Sequence, residues 1–311
     1  GMKKNILIYS GHNALIGGDA HYIFSLINSL DISNYNLKLF TDINPLFKER
    51  SYAWLKVDIP INYLPTRPHV FKKFSFEKHC TSLDQNNVGG FSIIIHWILT
   101  FKIANYPICK YFDWLYKKLS FARTFDVIKN FFIFYKLFKE QKSWVDVFHF
   151  NNGGYPAKEA GLIAIIVAKL FKVKVIIMKY NNVPRKKNRL RPIEYVYDYL
   201  IPKYCTYIIS DSDMTRLLLI KRRKFPFSKI ITIRDGMENV KLMSKEEIED
   251  YKFNLGIRKD SPVLLISGNL QEDRKGHIQL FNAIKIVCSK YPETLLLVVG
   301  NADRKREMTL K

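Results

Sequence analysis

The alternation of short apolar runs with helical patterns constrains the fold of this 311-residue chain more than any other feature. Runs rich in Ile, Leu and Val recur from one end to the other, and most are followed by a segment with the period of an amphipathic helix. This order is typical of parallel sheets that helices cover on both faces. The sequence therefore predicts an α/β fold, and 48% hydrophobic residues are enough to bury the cores of about two domains.

The predicted elements are distributed over two unequal domains. The predicted strands occupy residues 6–9, 37–40, 145–150, 173–178, 207–210, 230–233, 263–267 and 295–299. The predicted helices occupy residues 19–30, 125–140, 157–171, 212–221, 244–255 and 276–290. We expect a Rossmann-like domain over residues 1–242, a Lys- and Glu-rich hinge over 243–260, and the start of a second Rossmann-like domain over 261–311. The second is expected to be incomplete, because doubly wound domains usually need about 100 residues.

The strongly basic composition indicates an anionic partner. The formal net charge is +22, from 50 Lys and Arg against 28 Asp and Glu. Such a charge favours nucleic acid, an anionic membrane surface or a phosphorylated substrate. No nucleic-acid-binding motif accompanies the cations. Membrane surface and phosphorylated sugars are therefore the preferred interpretations, and nucleic acid is not expected.

Cysteine usage and hydropathy favour a cytoplasmic protein. Cys80, Cys109, Cys205 and Cys288 are far apart and form no metal-ligand spacing, so neither zinc nor a disulfide framework is expected. The N-terminal segment enters a strand directly, without the apolar region of a signal peptide. The longest apolar runs fall short of the roughly 20 residues that span a membrane. We expect a cytoplasmic location, with peripheral binding to the inner face of the plasma membrane as an additional interpretation.

The segment from 91 to 140 combines aromatic residues with interleaved lysines. A basic amphipathic helix can lie in a membrane interface, with its aromatic side chains inserted and its cations on anionic headgroups. The same pattern also fits a helix whose aromatic face packs on a sheet while its lysines face water. Both interpretations remain open.

The region from 263 to 300 has the pattern of a phosphate-binding site. A buried strand ends at Gly268, a charged loop follows, and Lys275 and Gly276 precede a helix, after which a second strand ends at Gly300. Backbone amides at a helix N-terminus and neighbouring cations converge on anions in such loops. The pattern indicates nucleotide-diphosphate chemistry.

This region resembles the donor-binding domain of GT-B glycosyltransferases, especially the retaining family numbered four. Gly268, Leu270, Lys275, Gly276 and Gly300 match the pattern of that family. Asn269 stands where the family usually has Arg, and Arg274 is interpreted as the source of that charge. Upstream, the strand ending in Ser210 and the turn Asp235-Gly236 are similar to the end of the family's first domain, although Asp235 replaces Asn.

The resemblance implies a retaining transfer of sugar from a nucleotide-diphosphate sugar, in polysaccharide or lipopolysaccharide synthesis, without cofactor or bound metal. The first strand also leads into Gly17-Gly18 at a helix start, where amide groups can approach an anion closely. The alternative for that pair is a plain turn. The candidate donor-binding residues are Gly17, Gly18, Gly268, Asn269, Arg274 and Lys275.

Polar residues follow two further strands, where ligands gather in open parallel sheets. Asn151 and Asn181 are the candidate catalytic residues, because their amides can orient sugar hydroxyls and donate to developing charge. The alternative interpretation is that the Asn pairs form turns and helix caps. Many members of the resembled family have His at about the position of Lys179. The candidate acceptor-binding residues are His149, Asn152, Lys179, Arg185 and Lys186.

Two basic segments and one alternative function complete the expectations. Residues 185–191 are interpreted either as a solvated loop or as a site for an acceptor pyrophosphate, and residues 221–224 as a solvated loop. The predicted partners are a nucleotide-sugar donor and a glycan or lipid-linked acceptor. The competing function is a truncated or degenerate, non-catalytic module that binds a glycan or a partner protein.

Overall fold

The computed structural model describes residues 3–11, 18–66, 121–188, 191–236, 242–268, 270 and 275–300. The chain divides into two compact units, residues 1–237 and 238–311. Three predicted site residues, Gly17, Asn269 and Arg274, lie outside the described residues. Most of the basic aromatic segment, up to residue 120, also lies outside them.

The first unit contains a seven-stranded parallel sheet in the order β3-β2-β1-β4-β5-β6-β7. Its strands are β1 (Lys4–Ser10), β2 (Tyr35–Asp42), β3 (Ile61–Leu64), β4 (Val147–Asn152), β5 (Val175–Tyr180), β6 (Tyr207–Ser210) and β7 (Ile230–Thr232). Its helices are α1 (Gly18–Ser29), α2 (Pro45–Trp54), α3 (Phe121–Gln141), α4 (Glu159–Leu170), α5 (Ile193–Tyr204) and α6 (Asp213–Arg223), with a 3-10 turn at Phe227–Lys229. This is the predicted α/β architecture.

The strand order reverses at β1, which pairs with β2 on one side and with β4 on the other. The chain thus runs outward in one direction through β2 and β3 and in the other through β4 to β7. In open parallel sheets, the loops that leave the carboxyl ends of the strands diverge at such a reversal and leave a crevice. A ligand site is therefore expected at the carboxyl ends of β1 and β4.

Two separate cores cover the two faces of this sheet. On one face, Ile23 and Phe24 of α1 pack with Ile8 and Leu39 of the strands. This helix follows the amphipathic pattern, because its buried positions recur at helical spacing. The helix is thereby fixed over the face of β1 and β2.

The opposite face is covered by α3 and α4. Phe134 and Phe138 of α3 and Leu162 of α4 belong to the same buried cluster as Phe148 and Phe150 of β4. The buried face of α3 agrees with the core-packing interpretation of the aromatic segment for this helix. Helix α4 is apolar over nearly its whole length, and most of its residues are buried within the first unit.

The second unit contains a two-stranded parallel sheet, β8 (Val263–Ser267) and β9 (Leu295–Val299), with helices α7 (Lys245–Asn254) and α8 (His277–Lys290). Helix α7 begins with a capping box, in which the Ser244 hydroxyl accepts from the Glu247 amide and the Glu247 carboxylate accepts from the Ser244 amide. The strands are apolar, yet Leu265 and Val299 are more than half exposed. This unit therefore buries less of its apolar surface than the first.

All eight predicted strands and all six predicted helices are confirmed, with shifts of a few residues at their ends. Within the described residues, the sequence analysis missed α2, β3, α5 and the 3-10 turn at Phe227–Lys229. Asn44-Pro45 was an overlooked helix start, in which the Asn44 side chain accepts from the amides of Leu46 and Phe47. Helix α5 contains Pro202 in its last turn, and proline normally indicates a break.

Candidate functional site

The site in the first unit is built on a row of three side chains across adjacent strands. Ser10 of β1 is paired in register with Asn151 of β4, and Asn151 with Lys179 of β5. Directly paired residues of parallel strands project from the same face of the sheet. All three are fully buried at the carboxyl ends of their strands, on the side where α1 begins. Sequence reasoning placed Asn151 and Lys179 at this edge, and the structure brings them together.

Asn151 links the central strands to the first turn of α1. Its Nδ2 donates to Ser10 Oγ at 3.0 Å and to the carbonyl of Asp19 at 2.8 Å. Both amide protons are thus used within the protein, whereas Oδ1 is buried and has no partner among the described residues. The acceptor oxygen is the group of Asn151 that a ligand hydroxyl could contact.

The other asparagines at this edge have divided roles. Asn152 Oδ1 accepts from the amide of Gly154 at 3.2 Å, which is the local turn bond of the alternative interpretation. Its Nδ2 and the Oδ1 of Asn181 are buried without a partner in the described part of the chain. Asn182 donates to the carbonyl of Gly153 and so joins the loops after β4 and β5. Asn152 thus forms a turn with one side of its amide, and its other side, like the Oδ1 of Asn181, remains available.

Lys179 is fully buried and forms an ion pair that the sequence did not predict. Its Nζ lies 2.5 Å from Oδ1 of Asp235 and 4.4 Å from the ring centre of Tyr22 on α1. The side chain of Asp235 is 42% exposed, so this carboxylate lies between the buried Lys179 ammonium and the solvent. Burial and the charge of Asp235 raise the pKa of Tyr22 to about 12. Lys179 and Asp235 stand where the sequence analysis expects His and Asn from the resembled family. In the structure, each of the two side chains compensates the charge of the other.

His149 lies on β4 two residues before Asn151 and projects from the same face of the sheet. It is paired in register with Ile8 and Ile177. Its Nε2 is buried and has no partner among the residues that the structure describes. Burial, and to a smaller degree the neighbouring charge of Lys179, lower the pKa of His149 to about 4. The imidazole is therefore neutral near pH 7 and can accept or donate one hydrogen bond at that nitrogen, according to its tautomer.

Sequence reasoning also missed the pair between Lys158 and Asp19. The Lys158 Nζ lies 2.5 Å from Oδ2 of Asp19, which ties the start of α4 to the start of α1. Gly153 lies beside this pair, and a Cβ there would lie 2.9 Å from the Asp19 carboxylate, which would have to shift. The only sequence signal was that Lys158 follows a Gly-rich strand end. Asp19 and Asp235 thus each have a lysine partner.

The basic segment after β5 carries the predicted acceptor residues Arg185 and Lys186, whose side chains are exposed. The interpretation of residues 221–224 as a solvated loop is wrong for Arg223, which is 1% exposed. Arg223 donates to the carbonyls of Arg185 and Lys186. A buried guanidinium needs both charge compensation and hydrogen bonds. The backbone carbonyls of the loop after β5 accept these hydrogen bonds.

In the second unit, the carboxyl ends of β8 and β9 approach closely at two glycines. The amide of Gly268 donates to the carbonyl of Val299 at 2.9 Å, and a Cβ on Gly300 would lie 1.8 Å from the Gly268 carbonyl oxygen. The methylenes of Lys275 lie 3.5 Å from the position of a Gly268 Cβ, so this lysine lies against the strand end. Gly276 has φ +78° and caps α8. The predicted donor residues Gly268 and Lys275 are thus neighbours.

His277 is a further residue of this region that the sequence did not single out. It is the first residue of α8 and is 2% exposed. Within the described part of the chain, neither ring nitrogen has a hydrogen-bond partner. Gly18 opens α1 in the first unit, and the space around a Cβ at that position is open.

Among the described residues, no group of three or more His, Cys, Asp or Glu side chains is arranged to hold a metal ion. None of the helices in the described ranges is both long and apolar enough to cross a bilayer.

Comparison with solved structures identifies proteins of the same fold. The chain resembles Anabaena HepE in complex with UDP and glucose (TM-score 0.58, 12% identity, 98% of this chain and 64% of that one). It also resembles a glycosyltransferase from Rickettsia africae (0.55, 12%, 98% and 70%) and the UDP-GlcNAc 2-epimerase of Neisseria meningitidis bound to UDP-GlcNAc (0.51, 12%, 98% and 68%). The chain therefore spans less than two thirds of the length of HepE.

No protein-family model matches the chain, and no curated protein matches its sequence. At identities of 12%, the structural similarity establishes the fold alone. That fold is an α/β fold of the GT-B type, as predicted.

Proposed function

We propose that this protein is a glycosyltransferase that moves a sugar from a nucleotide-diphosphate sugar to a glycan or lipid-linked acceptor. The observation that carries the proposal is a set of four buried polar atoms without partners among the described residues, on β4 and directly after β5. They are His149 Nε2, Asn151 Oδ1, Asn152 Nδ2 and Asn181 Oδ1. An unpaired buried polar group costs about 1–3 kcal/mol, so a group of them is expected where a ligand supplies the partners.

The chemistry of these four groups suits a sugar. Neutral amides and a neutral imidazole can both donate to and accept from hydroxyl groups, and they impose no net charge on an uncharged ring. In the proposed site, Asn151 and Asn181 orient the transferred sugar or the acceptor hydroxyl. His149 and Asn152 contact the acceptor, and Lys179 acts through Asp235 as a positioning residue.

The second unit supplies the proposed donor site. Lys275 lies against Gly268 at the end of β8, beside the N-terminus of α8. A cation and helix-terminal amides stabilise the charge that develops on a leaving diphosphate. Asn269 and Arg274 belong to the same proposed set. The fold shared with HepE and the Neisseria epimerase, whose structures contain UDP or a UDP-sugar, supports a nucleotide-sugar ligand.

Three finer features belong to the same proposal. Retention of configuration, independence of metal and cofactor, and a role in bacterial surface polysaccharide synthesis are all supported by the sequence resemblance to the retaining family four. A place in the cytoplasm, at the inner face of the plasma membrane, fits a lipid-linked acceptor and a net charge of +22.

The proposal is tested by calorimetry of the full chain with a panel of UDP- and GDP-sugars. We expect binding of one of them, weakened about tenfold or more by Lys275→Ala, because a charge-assisted phosphate contact contributes about 1.5–3 kcal/mol. Lys290→Ala, an exposed lysine at the other end of α8, is the matched control and should bind like the unmodified chain. If no sugar nucleotide binds, or if Lys275→Ala has no effect, the donor assignment is wrong.

A non-catalytic module that binds a glycan or a partner protein is the second candidate. It is favoured by the pairing of Asp19 and Asp235 with lysines, which compensates the charges of these two carboxylates. The same titration separates the two functions, since a glycan-binding module is not expected to retain UDP or GDP. Transfer of radiolabelled sugar to an acceptor extract would establish catalysis.

A further inference from the structure

The loop after β5, residues 181–188, is fixed at the carboxyl edge of the sheet. The amide of Arg185 donates to the carbonyl of Tyr155 at 3.0 Å, and Asn182 donates to the carbonyl of Gly153. Both acceptors belong to the loop that follows β4. The segment that carries Arg185 and Lys186 therefore lies at the same edge of the sheet as Asn152 and Asn181, whose amides have unpaired atoms.

Two arginines at the end of α6 donate hydrogen bonds to the backbone of this loop. Arg223 donates from Nε to the Arg185 carbonyl at 2.8 Å and from its NH2 group to the Lys186 carbonyl at 3.3 Å. Arg222 donates to the Pro184 carbonyl at 2.7 Å. Three consecutive carbonyls are thus bound, so the backbone path from 184 to 186 is determined by side chains of another element.

The charge of Arg223 is compensated by buried carboxylates rather than by water. Its NH1 group lies 2.8 Å from Oε2 of Glu194 and 3.6 Å from Oδ2 of Asp198, both on α5. Asp198 also accepts from the hydroxyl of Tyr155 at 2.9 Å. A solvated loop requires no such network, and removing charges from water is unfavourable unless geometry and hydrogen bonds are good. The network indicates that the position of the loop itself has a function.

The cations on this fixed loop are only partly compensated. Lys187 Nζ lies 3.2 Å from Asp198. Arg185 and Lys186 are exposed, and among the described residues no carboxylate lies within 4.0 Å of either side chain. Two adjacent uncompensated cations on a rigid backbone form an anion-binding surface, and arginine is suited to bidentate contact with phosphate.

We propose that Arg185 and Lys186 bind a phosphate or diphosphate group of the acceptor. The anion-binding site follows from the loop geometry, whereas its assignment to an acceptor rests on the proposed function. A phosphorylated acceptor held here would be placed beside Asn152 and Asn181, because the two loops are joined by the bonds to Gly153 and Tyr155. The acceptor class is accordingly a sugar or lipid that carries a phosphate or diphosphate.

The test measures the binding of inorganic pyrophosphate by calorimetry, in the full chain carrying Lys275→Ala so that the contribution of the proposed donor site is reduced. We expect Arg185→Ala with Lys186→Ala to weaken pyrophosphate binding about tenfold or more, since two charge-assisted contacts are lost. The matched control is Lys142→Ala with Lys169→Ala, which removes the same charge. These exposed lysines follow α3 and end α4, at the amino edge of the sheet. The control should change the affinity less than about twofold, as expected for screened, distant charges.

Two outcomes would overturn the proposal. The first is equal pyrophosphate binding by the loop variant and the control, or no pyrophosphate binding in the Lys275→Ala background. The second is unchanged pyrophosphate binding together with lost binding to phosphatidylglycerol vesicles, which would assign the loop to a membrane surface. UDP binding by the loop variant without Lys275→Ala should equal that of the unmodified chain, so failure here and failure of the proposed function are distinguishable.

Discussion

At the scale of single residues, the ion pair of Lys179 and Asp235 is the feature that most distinguishes this site. Each residue alone departs from the pattern of the resembled family, and a buried ammonium without its carboxylate would be strongly unfavourable. With Asp235 at 2.5 Å, the cation is compensated and its position under Tyr22 is fixed. The pair therefore fixes the position of Lys179 at the carboxyl edge of the sheet.

We expect Asp235→Asn to lower the free energy of unfolding by about 1–3 kcal/mol, because it leaves the Lys179 ammonium without a charge partner. The effect is at the lower end of buried pairs since Asp235 is 42% exposed and Asn can still accept a hydrogen bond. Asp213→Asn is the control, as its 3.5 Å pair with Arg234 is exposed on both sides and should contribute less than about 1 kcal/mol. Urea unfolding at pH 7 measures both, and equal losses in the two variants would contradict the assigned role.

His149 predicts a pH dependence of stability. Its folded-state pKa of about 4 lies below the ordinary value of 6.5, so the unfolded chain binds the proton first as the pH falls. Stability is therefore expected to decrease between about pH 6.5 and pH 4 and to lose roughly 2–3 kcal/mol from this residue. His149→Gln should remove that part of the slope in urea unfolding at pH 7 and pH 4.5. A slope that is the same with Gln would show that other groups cause it.

At the scale of elements, the contact between α4 and β4 depends on one glycine. A Cβ on Gly161 would lie 2.0 Å from the ring of Phe150, a distance at which the helix must move away from the sheet. The start of α4 also carries Lys158, which pairs with Asp19 of α1. The separation of this helix from β4 therefore affects both the core and the site.

Gly161→Ala is expected to destabilise the protein by about 1–3 kcal/mol through overpacking, although alanine favours a helix over glycine by about 1 kcal/mol. Gly18→Ala, at the first position of α1 with open space around its Cβ, is the matched control and should be neutral or slightly stabilising. Thermal and urea unfolding compare the two. If Gly161→Ala is as stable as the unmodified chain, the close contact is not needed.

At the scale of the whole molecule, the two units differ in how much core they possess. Both large apolar clusters lie in the first unit, between residues 7 and 230. In the second unit, a cavity of about 250 Å³ lined by apolar side chains such as Met243, Ile248 and Leu297 remains open. The first unit thus has the characteristics of an independently stable domain.

We expect a fragment of residues 1–242 to unfold in a single cooperative transition, because its sheet is covered on both faces by its own helices. A fragment of residues 238–311 should show no cooperative transition, since half-exposed strands bury too little apolar surface to offset the conformational entropy. Calorimetry and near-ultraviolet circular dichroism test both fragments. Cooperative unfolding of the smaller fragment would contradict this division.

The sequence by itself determined the fold class and the elements that bear the site. Strand ends can be predicted from local pattern, since an apolar run that changes to Asn or Gly marks the end of a buried strand. For that reason Asn151, Asn181 and Gly268 were identified correctly as residues at strand ends. Helix α5 was missed because Pro202 locally disfavours a helix. The packing of its buried side chains in the folded protein outweighs this local preference.

Only the tertiary structure decided which polar residues are partners. Lys179 and Asp235 are 56 positions apart, and Arg223 lies 38 positions from the Arg185 carbonyl that it binds. Such contacts depend on strand order, register and the placement of helices, none of which leaves a local signature in composition or periodicity. A charged run therefore looks the same in the sequence whether its arginine is solvated or buried. The difference is a desolvation free energy, which is defined only once the surrounding chain is in place.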